Sequence, residues 1–555
     1  MKIVVGQINS KIADFSGNSQ KMLNVISRAA RDGADMVLFP ELSLCGYPPL
    51  DLLTYHNFIS ENNRALARLC EQIPPGIAVV LGSVGERTSK VGKPLQNEAV
   101  VLVNGKIAHR QAKTLLPTYD VFDEDRYFEP AKSRIPFSYK GLNCGIVVCE
   151  DIWLRGSGTF IYAADPVGDQ VRQGANLLIV LSASPYHIGK IEERINIIKE
   201  LSETHGIPVI FVNAVGANDS LIFDGTSMVF WPGTGITVMA SSFTEDYLIC
   251  ELADMPKQPA VSYHEDVYGD LEQALVLGLT DYMEKTGFSH VNIGLSGGID
   301  SSLVSVLAVK ALGPDRVHAY AMPSRFSTFH SLEDSRVLAK RLGIGYEEIS
   351  IEPIFSVMLE SLTTSLGDGP FGVTEENIQA RIRGMMLMAW SNKKGSLLLT
   401  TGNKSELAVG YCTLYGDMCG SLSLIGDLMK TEVFSLCRHI NQQAGDDLIP
   451  ERVLTKPPSA ELRHDQRDDD SLPPYDVLDS ILRLYLIQCA SAEEIVDAGY
   501  DQETVHNVIR LVELSEYKRR QAAMVLKVSA KAFGQGRRMP IAKSLYEVES
   551  IKPTQ

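Results

Sequence analysis

The sequence predicts an α/β protein in two parts, an α/β sandwich followed by a parallel, Rossmann-like sheet. Three observations carry this. In the first half, short apolar runs of strand length are joined by hairpins as well as by crossovers. In the second half, apolar strands alternate with helically spaced segments. Between them lies a Pro-bearing, polar, aperiodic stretch, residues 254–267, which separates a first domain at 1–253 from a second at 268–555.

With 555 residues and 45% hydrophobic content, the chain has material for about two to four domains with large cores. A formal charge of −16 argues against nucleic acid or an anionic membrane as partner, and still allows small phosphorylated ligands in local basic pockets. Nine cysteines without Cys-x-x-Cys spacing argue against a disulfide framework or a zinc site and fit a reducing cytoplasm. The chain opens directly on a strand with no signal-peptide core, and no apolar run reaches the ~20 residues of a membrane span.

In the first half, Ile3 to Ile8, Met36 to Phe39, Ile77 to Val84 and Asn97 to Val103 read as strands. Asn104-Gly105 is a two-residue hairpin turn that returns through Lys106 to Ala112. Asn143 to Val148, Leu177 to Leu181 and Val209 to Val212 read as further buried strands; Asn18 to Arg31 and Ile191 to Thr204 have helical spacing. Asp224-Gly225 opens a last hairpin that returns through Gly235 to Ala240. Glu41, Lys113 and Cys149 each follow the end of a strand, where α/β folds collect their sites. Together they make an acyl-transfer set. The carboxylate takes the thiol proton, the thiolate attacks a carbonyl, and the ammonium steadies the oxyanion. Taken singly they also fit plainer roles, a surface ion pair for Glu41 and Lys113 and a core thiol for Cys149.

Phe-Pro-Glu-Leu at 39–42, Lys-Thr-Leu-Leu-Pro-Thr-Tyr at 113–119 and Val-Cys-Glu-Asp-Ile-Trp at 148–153 resemble the nitrilase-type amidases. They are most similar to the glutaminase domain of glutamine-dependent NAD synthetases. The resemblance implies an αββα nitrilase-like sandwich with Cys149 as nucleophile, Glu41 as general base and Lys113 as oxyanion stabiliser. It adds Glu124 as a further carboxylate of the site, a residue that equally fits a solvated loop charge. Glutamine contacts are implied at Tyr47, Tyr119, Phe122, Glu150 and Ser184, of which Glu150 and Tyr119 suit an ammonium. Lys190 stands where relatives often carry Arg; it can meet an α-carboxylate, though not with a bidentate fork.

In the second half, the apolar strand Val291 to Leu295 runs into Ser-Gly-Gly-Ile-Asp-Ser-Ser at 296–302 and then a helix, Leu303 to Leu312. The glycines allow close backbone approach. The hydroxyls of Ser296, Ser301 and Ser302, with the free N–H groups of the helix start, make an anion site. No lysine follows the glycines, so this is not a Walker A loop. Asp300 would hold Mg²⁺ against phosphates. Helix Leu271 to Lys285 precedes this strand; strand His318 to Ala321, helix Glu333 to Leu342 and strand Glu347 to Ile351 follow. The polar stretch Ser324 to Ser331 reads either as a lid or as an ordinary connection. In helix Asn377 to Trp390, the pairs Asn377/Arg381 and Gln379/Arg383 project on neighbouring faces, and the arginine forks suit phosphate or carboxylate.

Strand Leu397 to Thr401 enters Gly-Asn-Lys-Ser-Glu at 402–406, a second strand-to-helix loop whose Glu406 would share Mg²⁺ with Asp300. Lys430 is a candidate phosphate cation and Asp417 a candidate polar contact to substrate. The Pro-rich stretch 456–475 reads as a surface loop with Asp468, Asp469 and Asp470 solvated. Basic spots at 518–521 and 536–540 are open to dinucleotide phosphates or a partner subunit.

The Ser-Gly-Gly-x-Asp-Ser loop, Glu-Asn-Ile-Gln-Ala-Arg-Ile-Arg-Gly, Thr-Thr-Gly-Asn-Lys-Ser-Glu, Tyr-Gly-Asp-Met and Lys-Pro-Pro-Ser-Ala-Glu-Leu resemble the ATP-pyrophosphatase domain of NAD synthetases. The resemblance implies ATP and Mg²⁺ around Ser296, Gly297, Gly298, Ile299, Asp300, Ser301, Ser302, Thr401, Glu406, Lys430 and Ser459. It implies nicotinic acid adenine dinucleotide near Asn377, Arg381, Arg383, Asp417 and Lys518. The implied reaction adenylates the carboxylate of that dinucleotide and displaces AMP with ammonia released from glutamine. A homo-oligomer and an ammonia tunnel are implied by the same resemblance. Three alternatives stay open: another ATP-pyrophosphatase amidotransferase, an ammonia-only ligase with a non-catalytic amidase-like module, and a stand-alone amide hydrolase.

Overall fold

The computed structural model describes residues 1–89, 91–153, 162–254, 259–367, 369–545 and 547; residues 255–258 of the expected linker lie outside them. The chain divides into two compact units, Met1–Asp270 and a second from Leu271.

The first unit contains, in order, β1 (Lys2–Gln7), α1 (Phe15–Arg31), β2 (Met36–Leu38), α2 (His56–Glu71), β3 (Ala78–Glu86), β4 (Leu95–Val103), β5 (Lys106–Ala112), β6 (Phe137–Tyr139) and β7 (Leu142–Val148). There follow α3 (Pro166–Arg172), β8 (Leu177–Ser182), α4 (Lys190–His205), β9 (Val209–Asn213), β10 (Val215–Asn218), β11 (Leu221–Asp224), β12 (Met228–Trp231), β13 (Gly235–Met239) and β14 (Asp246–Glu251). They form two six-stranded sheets, ordered β14-β1-β2-β3-β4-β5 and β13-β12-β9-β8-β7-β6, and β10 and β11 pair as a separate two-stranded sheet. Side chains alternate across each strand. Ile3, Val5, Met36 and Leu38 therefore meet Ile146, Val148, Ile179 and Ile210 of the facing sheet in one core. Val4, Val37 and Val79 point the other way, onto Met22, Ile26, Leu66 and Leu69 of α1 and α2. On the opposite outer face Val147, Val180 and Phe211 pack on Val167 of α3 and on Ile198 and Leu201 of α4. The result is the expected α-β-β-α sandwich. Helix α2 is an addition to the sequence reading; Phe58, Asn62, Leu66 and Leu69 at three- and four-residue spacing were its signal.

The boundary falls within the first turns of α5 (Val267–Thr286), and the second unit continues with β15 (Val291–Gly294), α6 (Ile299–Leu312), β16 (Val317–Ala321), α7 (Phe329–Leu342), β17 (Gly345–Glu348), α8 (Glu352–Leu366) and α9 (Val373–Lys394). It continues with β18 (Leu397–Thr400), α10 (Lys404–Val409), β19 (Leu422–Ser423), α11 (Lys430–Ala444), further short helices and β20 (Met524–Val525). The sheet order is β17-β16-β15-β18-β19-β20, and every pairing is parallel. Strand order reverses between β15 and β18. Loops diverge at such a switch point and leave a crevice at the carboxyl ends of the strands. The two motif-bearing loops, 296–302 and 401–406, leave from those two ends. No helix among the described residues is long and apolar enough to cross a membrane.

Three expectations change, and one left open is narrowed. Helix α6 begins at Ile299, so Asp300, Ser301 and Ser302 form its first turn. Strand β17 lies at Gly345–Glu348, ahead of the expected 347–351. The polar stretch 324–331, read as either a lid or an ordinary connection, is tied to its neighbours by hydrogen bonds. Thr328 caps α7 by accepting from the Ser331 N–H at 3.2 Å, and Glu461 accepts from the Thr328 hydroxyl at 2.9 Å and the Ser331 hydroxyl at 2.6 Å. Of the three aspartates taken as solvated, Asp468 is buried and accepts from the Tyr475 hydroxyl at 2.8 Å.

Candidate active sites

In the first unit, the carboxyl ends of β2, β7 and β8 converge. β7 and β8 pair in parallel as far as Val148 and Leu181, so Cys149 and Ser182 emerge side by side. The Ser182 hydroxyl donates to Cys149 Sγ at 3.3 Å. The next amide, Ala183 N–H, donates to Glu41 Oε2 at 2.9 Å. Thiol and carboxylate are thus held by consecutive residues of one strand end. Cys149 has φ +41° and Leu42, beside Glu41, has φ +45°. Both are strained for residues with a Cβ, and such strain persists where surrounding bonds fix it. At Cys149 the fixing group is Asp151. Its buried carboxylate accepts from the N–H groups of Thr114 and Leu115 at 2.8 Å and of Val148 at 3.1 Å. At Glu41 it is Gly82, where a Cβ would lie 2.0 Å from Leu42 N.

Lys113 follows β5 and is 1% exposed. Its ammonium donates to Glu41 Oε1 and to Glu124 Oε1, both at 2.8 Å. Tyr47 donates to Glu124 Oε1 at 3.0 Å. Burial pushes the Cys149 thiol well above its ordinary pKa, with the Glu41 charge adding to this and Lys113 opposing it. The resting sulfur is therefore a thiol, and Glu41 is the adjacent base that could take its proton. Burial also raises the Glu124 carboxyl, against the pull of Lys113.

Of the residues expected to contact glutamine, Glu150 is 3% exposed and pushed up to about 7 by burial. Tyr119 donates to it at 3.0 Å, and Tyr162 donates at 2.9 Å. Phe122 packs edge-on against Tyr119 at 5.5 Å. The Ser184 N–H donates to Asn213 Oδ1 at 2.9 Å. Lys190 opens α4, its ammonium 3.7 Å from the Trp153 ring centroid and 2.9 Å from Glu193. Burial lowers its pKa, and Glu193 opposes that.

In the second unit, the loop after β15 folds on its own hydroxyls. Ser296 and Ser301 hydroxyls are 3.1 Å apart, Gly298 N–H donates to Ser296 Oγ at 3.2 Å, and Ser302 donates to the Gly298 carbonyl at 2.8 Å. Gly297 has φ +76°, and a Cβ there would lie 2.1 Å from the Ser331 carbonyl oxygen. Asp300, in the first turn of α6, accepts from Lys430 Nζ at 2.6 Å and from Asn403 Nδ2 at 2.9 Å. Glu406 accepts from the same Lys430 ammonium at 3.1 Å. Burial raises Glu406 to about 8, with Lys430 opposing. The carboxylate of Asp479 bridges the Ser405 hydroxyl and the Thr431 N–H, and so fixes α10 against the start of α11. Among the described residues no group of three His, Cys, Asp or Glu forms a ready metal cage. Asp300 and Glu406 nonetheless offer hard oxygen donors converging on one point. That donor set fits Mg²⁺, which takes one or two carboxylates plus substrate phosphates. Beside them, buried Asp468 has Oδ1 without a hydrogen-bond partner.

The expected dinucleotide contacts fall into two groups. Arg381 Nε donates to the Leu414 carbonyl, Asn377 accepts from the Thr413 hydroxyl, and Asp417 accepts from the Thr413 N–H. Lys518 donates to the carbonyls of Gly410 and Cys412 at 2.7 and 2.8 Å. These four residues gather on the 410–417 loop, and the Lys518 ammonium serves that backbone. Arg383 points elsewhere, to the Met322 carbonyl at 2.9 Å, and burial lowers it to about 10. Glu406 and Asp417 line one concavity with Gly402 and Cys412. Ser459 accepts from the Glu461 N–H at 3.1 Å, and Glu461 bonds to Ser331, whose carbonyl abuts Gly297. Thr401 immediately follows β18. The basic spots turn inward: Arg519 pairs with Glu516, and Arg537 pairs with Glu513 and Glu516.

Sequence reasoning missed Asn97, Asp151, Tyr162, Ser182, Asn403, Asp468 and Asp479. Only Asn403 had a signal: Asn three residues before Glu406 is a helix-capping pattern, and both capping bonds form.

The carbon-nitrogen hydrolase family model matches residues 2–255, and the NAD synthase family model matches residues 271–522. A glutamine-dependent NAD(+) synthetase of Synechocystis sp. is 46% identical over 98% of this chain and 99% of its own. The structure of glutamine-dependent NAD+ synthetase from Acinetobacter baumannii, in complex with ADP, is 38% identical, with a TM-score of 0.77 over 97% of this chain and 98% of that one. A glutamine-dependent NAD(+) synthetase structure from Cytophaga hutchinsonii, 20% identical, shares the fold at a TM-score of 0.83 over 99% of both chains. The chain belongs to the family of glutamine-dependent NAD(+) synthetases.

Proposed function

We propose that this protein makes NAD⁺ from nicotinic acid adenine dinucleotide, with ATP as co-substrate and glutamine as nitrogen donor. The observation that carries the reading is the presence of two separate constellations in one chain. One is a buried thiol beside Glu41 and Lys113; the other is Asp300, Lys430 and Glu406 beneath a glycine-serine loop. The first suits amide cleavage. Cys149 passes its proton to Glu41 as sulfur attacks the side-chain carbonyl of glutamine, and Lys113 steadies the oxyanion. The proton goes to the departing ammonia, and water then clears the thioester. Glu150, held by two phenols, meets the substrate ammonium, and Lys190 meets its carboxylate.

The second constellation suits adenylation of a carboxylate. The N–H groups and hydroxyls of 296–302 hold phosphate oxygens, with Thr401, Lys430 and Ser459 at the margin. Asp300 and Glu406 would hold Mg²⁺, which neutralises charge on the phosphates when bound. Asn377, Arg381 and Asp417 orient the dinucleotide at the 410–417 loop; Arg383 does so from the Met322 side. Ammonia then displaces AMP from the acyl adenylate. A homo-oligomer and a cytoplasmic location belong to the same proposal; all nine cysteines are unpaired, as a reducing compartment requires.

The test supplies ATP, Mg²⁺ and the dinucleotide, with glutamine or ammonium as sole nitrogen source. Wild-type protein should form NAD⁺, AMP and pyrophosphate from either. Cys149→Ala should lose the glutamine-driven reaction by at least ~10³-fold and keep the ammonium-driven one. Glutamine use at a near-normal rate by that variant would remove Cys149 from the mechanism.

A further inference from the structure

Asn97 lies within β4, where strand pairing alone explains a backbone and leaves the side chain free to vary. Its side chain is not free. Nδ2 donates to Glu41 Oε1 at 2.7 Å and to Glu124 Oε2 at 3.3 Å. Its own carbonyl accepts from the Lys113 N–H at 2.8 Å. One residue therefore touches Glu41, Lys113 and Glu124 together. Asn97 is 1% exposed, yet its Oδ1 has no hydrogen-bond partner. A buried amide usually satisfies both ends. Here the acceptor end is left without a partner and both donor hydrogens face carboxylates. The opposite orientation would set an oxygen against two anions.

From this geometry we propose that Asn97 is a positioning residue for acylation of Cys149, an inference that rests on the thiol mechanism above. Two carboxylates share a single lysine, so the cluster carries more acceptors than Lys113 can serve. Asn97 supplies two further donors without adding charge. The bonds to Glu41 are unequal. Oε1 accepts from Lys113 and Asn97, and Oε2 accepts from Ala183 N–H. Oε2 is the oxygen with a lone pair left, and its donor Ala183 adjoins Ser182, which donates to Cys149 Sγ. Asn97 thus keeps Glu41 turned so that Oε2 receives the thiol proton, which later leaves with ammonia. Without the second donor, Glu41 could rotate to share both oxygens with Lys113.

The variant Asn97→Asp keeps the shape and replaces two donor hydrogens with an acceptor; Asn97→Ser keeps one donor. Glutamine hydrolysis by the full chain is measured, together with the rate at which iodoacetamide labels Cys149, read by peptide mass spectrometry. Loss of a hydrogen bond to a charged group predicts kcat down about 10- to 100-fold in Asn97→Asp. KM for glutamine should stay within about 3-fold, because Glu150 and Tyr119 are untouched. Asn97→Ser should fall between wild type and Asn97→Asp, and Cys149 labelling should slow in the same order. Equal kcat in wild type and Asn97→Asp would overturn the proposal. So would equal losses in both variants that track only a lower thermal midpoint. If Asn97→Asp does not fold, the graded loss in Asn97→Ser at unchanged KM decides. Glutamine hydrolysis surviving in Cys149→Ala would instead overturn the thiol mechanism itself, whatever Asn97 does.

Discussion

Replacing Glu150 with Gln tests the proposed ammonium site, and its size can be worked out from the structure. Glu150 is buried, receives two phenol hydroxyls, and is pushed from 4.5 up to about 7. An ordinary carboxyl would be fully ionised across the physiological range. This one is about 10% ionised at pH 6 and about 90% at pH 8. Only the ionised form attracts the ammonium of glutamine, so kcat/KM for glutamine should rise roughly tenfold between those pH values. Glu150→Gln removes the charge and keeps an oxygen for the tyrosines. At pH 8 its kcat/KM for glutamine should fall by about 10- to 150-fold, the worth of a charge-assisted hydrogen bond. The share of the pH dependence due to Glu150 should vanish with it. The ammonium-driven reaction should not change. Stability should move the opposite way. A carboxyl raised in the folded state contributes stability below its unfolded pKa of about 4.5 and loses it as pH rises through about 7. At pH 8 the wild type therefore carries a cost of up to about 3 kcal/mol that the variant lacks. Thermal unfolding should show a higher midpoint for Glu150→Gln at pH 8, and the difference should close as pH falls below 4.5. Comparison with wild type isolates Glu150 from the other ionisable groups of the site. A variant that kept the wild-type pH profile for glutamine would refute the assignment.

Other outcomes follow from single contacts. Chelation of divalent cations with EDTA should stop NAD⁺ formation from both nitrogen sources, leave glutamine hydrolysis running, and be reversed by Mg²⁺; NAD⁺ formation in EDTA would exclude the role given to Asp300 and Glu406. Gly297→Ala should abolish synthesis of NAD⁺, because a Cβ would meet the Ser331 carbonyl oxygen at 2.1 Å in a backbone with φ +76°; normal ATP turnover would show that the loop moves freely. Lys518→Met should lower the thermal midpoint by about 5 °C, as two carbonyls lose a charged donor worth about 2 kcal/mol. Its KM for the dinucleotide should change less than that of Arg381→Ala, and the reverse order would return Lys518 to direct phosphate contact.

What the sequence revealed depended on whether a residue's position followed from backbone periodicity. Glu41, Lys113 and Cys149 were visible because each follows the end of a strand, and strand ends converge. The 296–302 and 401–406 loops were visible for the same reason, and sheet order places β15 beside β18. Arg381 and Arg383 were set on neighbouring parts of one helix surface, and spacing could not say that one would face Leu414 and the other Met322. Asn97 and Ser182 were invisible: they are single polar residues within or at the end of strands, and only the fold reveals what they face. Asp468 was misread because composition averages over neighbours. Asp469 and Asp470 are exposed, while the first aspartate of the same short 3₁₀ turn points inward to Tyr475. Thr328 and Ser331 looked like loop residues because capping a helix and belonging to a loop call for the same hydroxyls.

The two sites use one electrostatic device and differ in how far it is closed. Each places a buried lysine between two carboxylates: Glu41, Lys113 and Glu124 in one unit, Asp300, Lys430 and Glu406 in the other. With all three groups ionised, each cluster holds one negative charge in excess, and at an effective dielectric near 20 each close pair is worth about 4 kcal/mol. In the first unit the carboxylate side chains are 0% and 6% exposed, and a neutral amide and a phenol add donors. That cluster has Lys113, Asn97 and Tyr47 as donors to its two carboxylates. In the second unit both carboxylate side chains are 17% exposed, Asn403 adds donors to Asp300 and Glu406, and Asp468 adds negative charge beside them. Exchanging the ammonium for a divalent cation would turn that excess from −1 to neutral and free Lys430 for a phosphate. On the proposed reading, that exposure would let the second cluster accept a metal–nucleotide pair, and sealing it with an added donor should weaken ATP binding while leaving the fold intact.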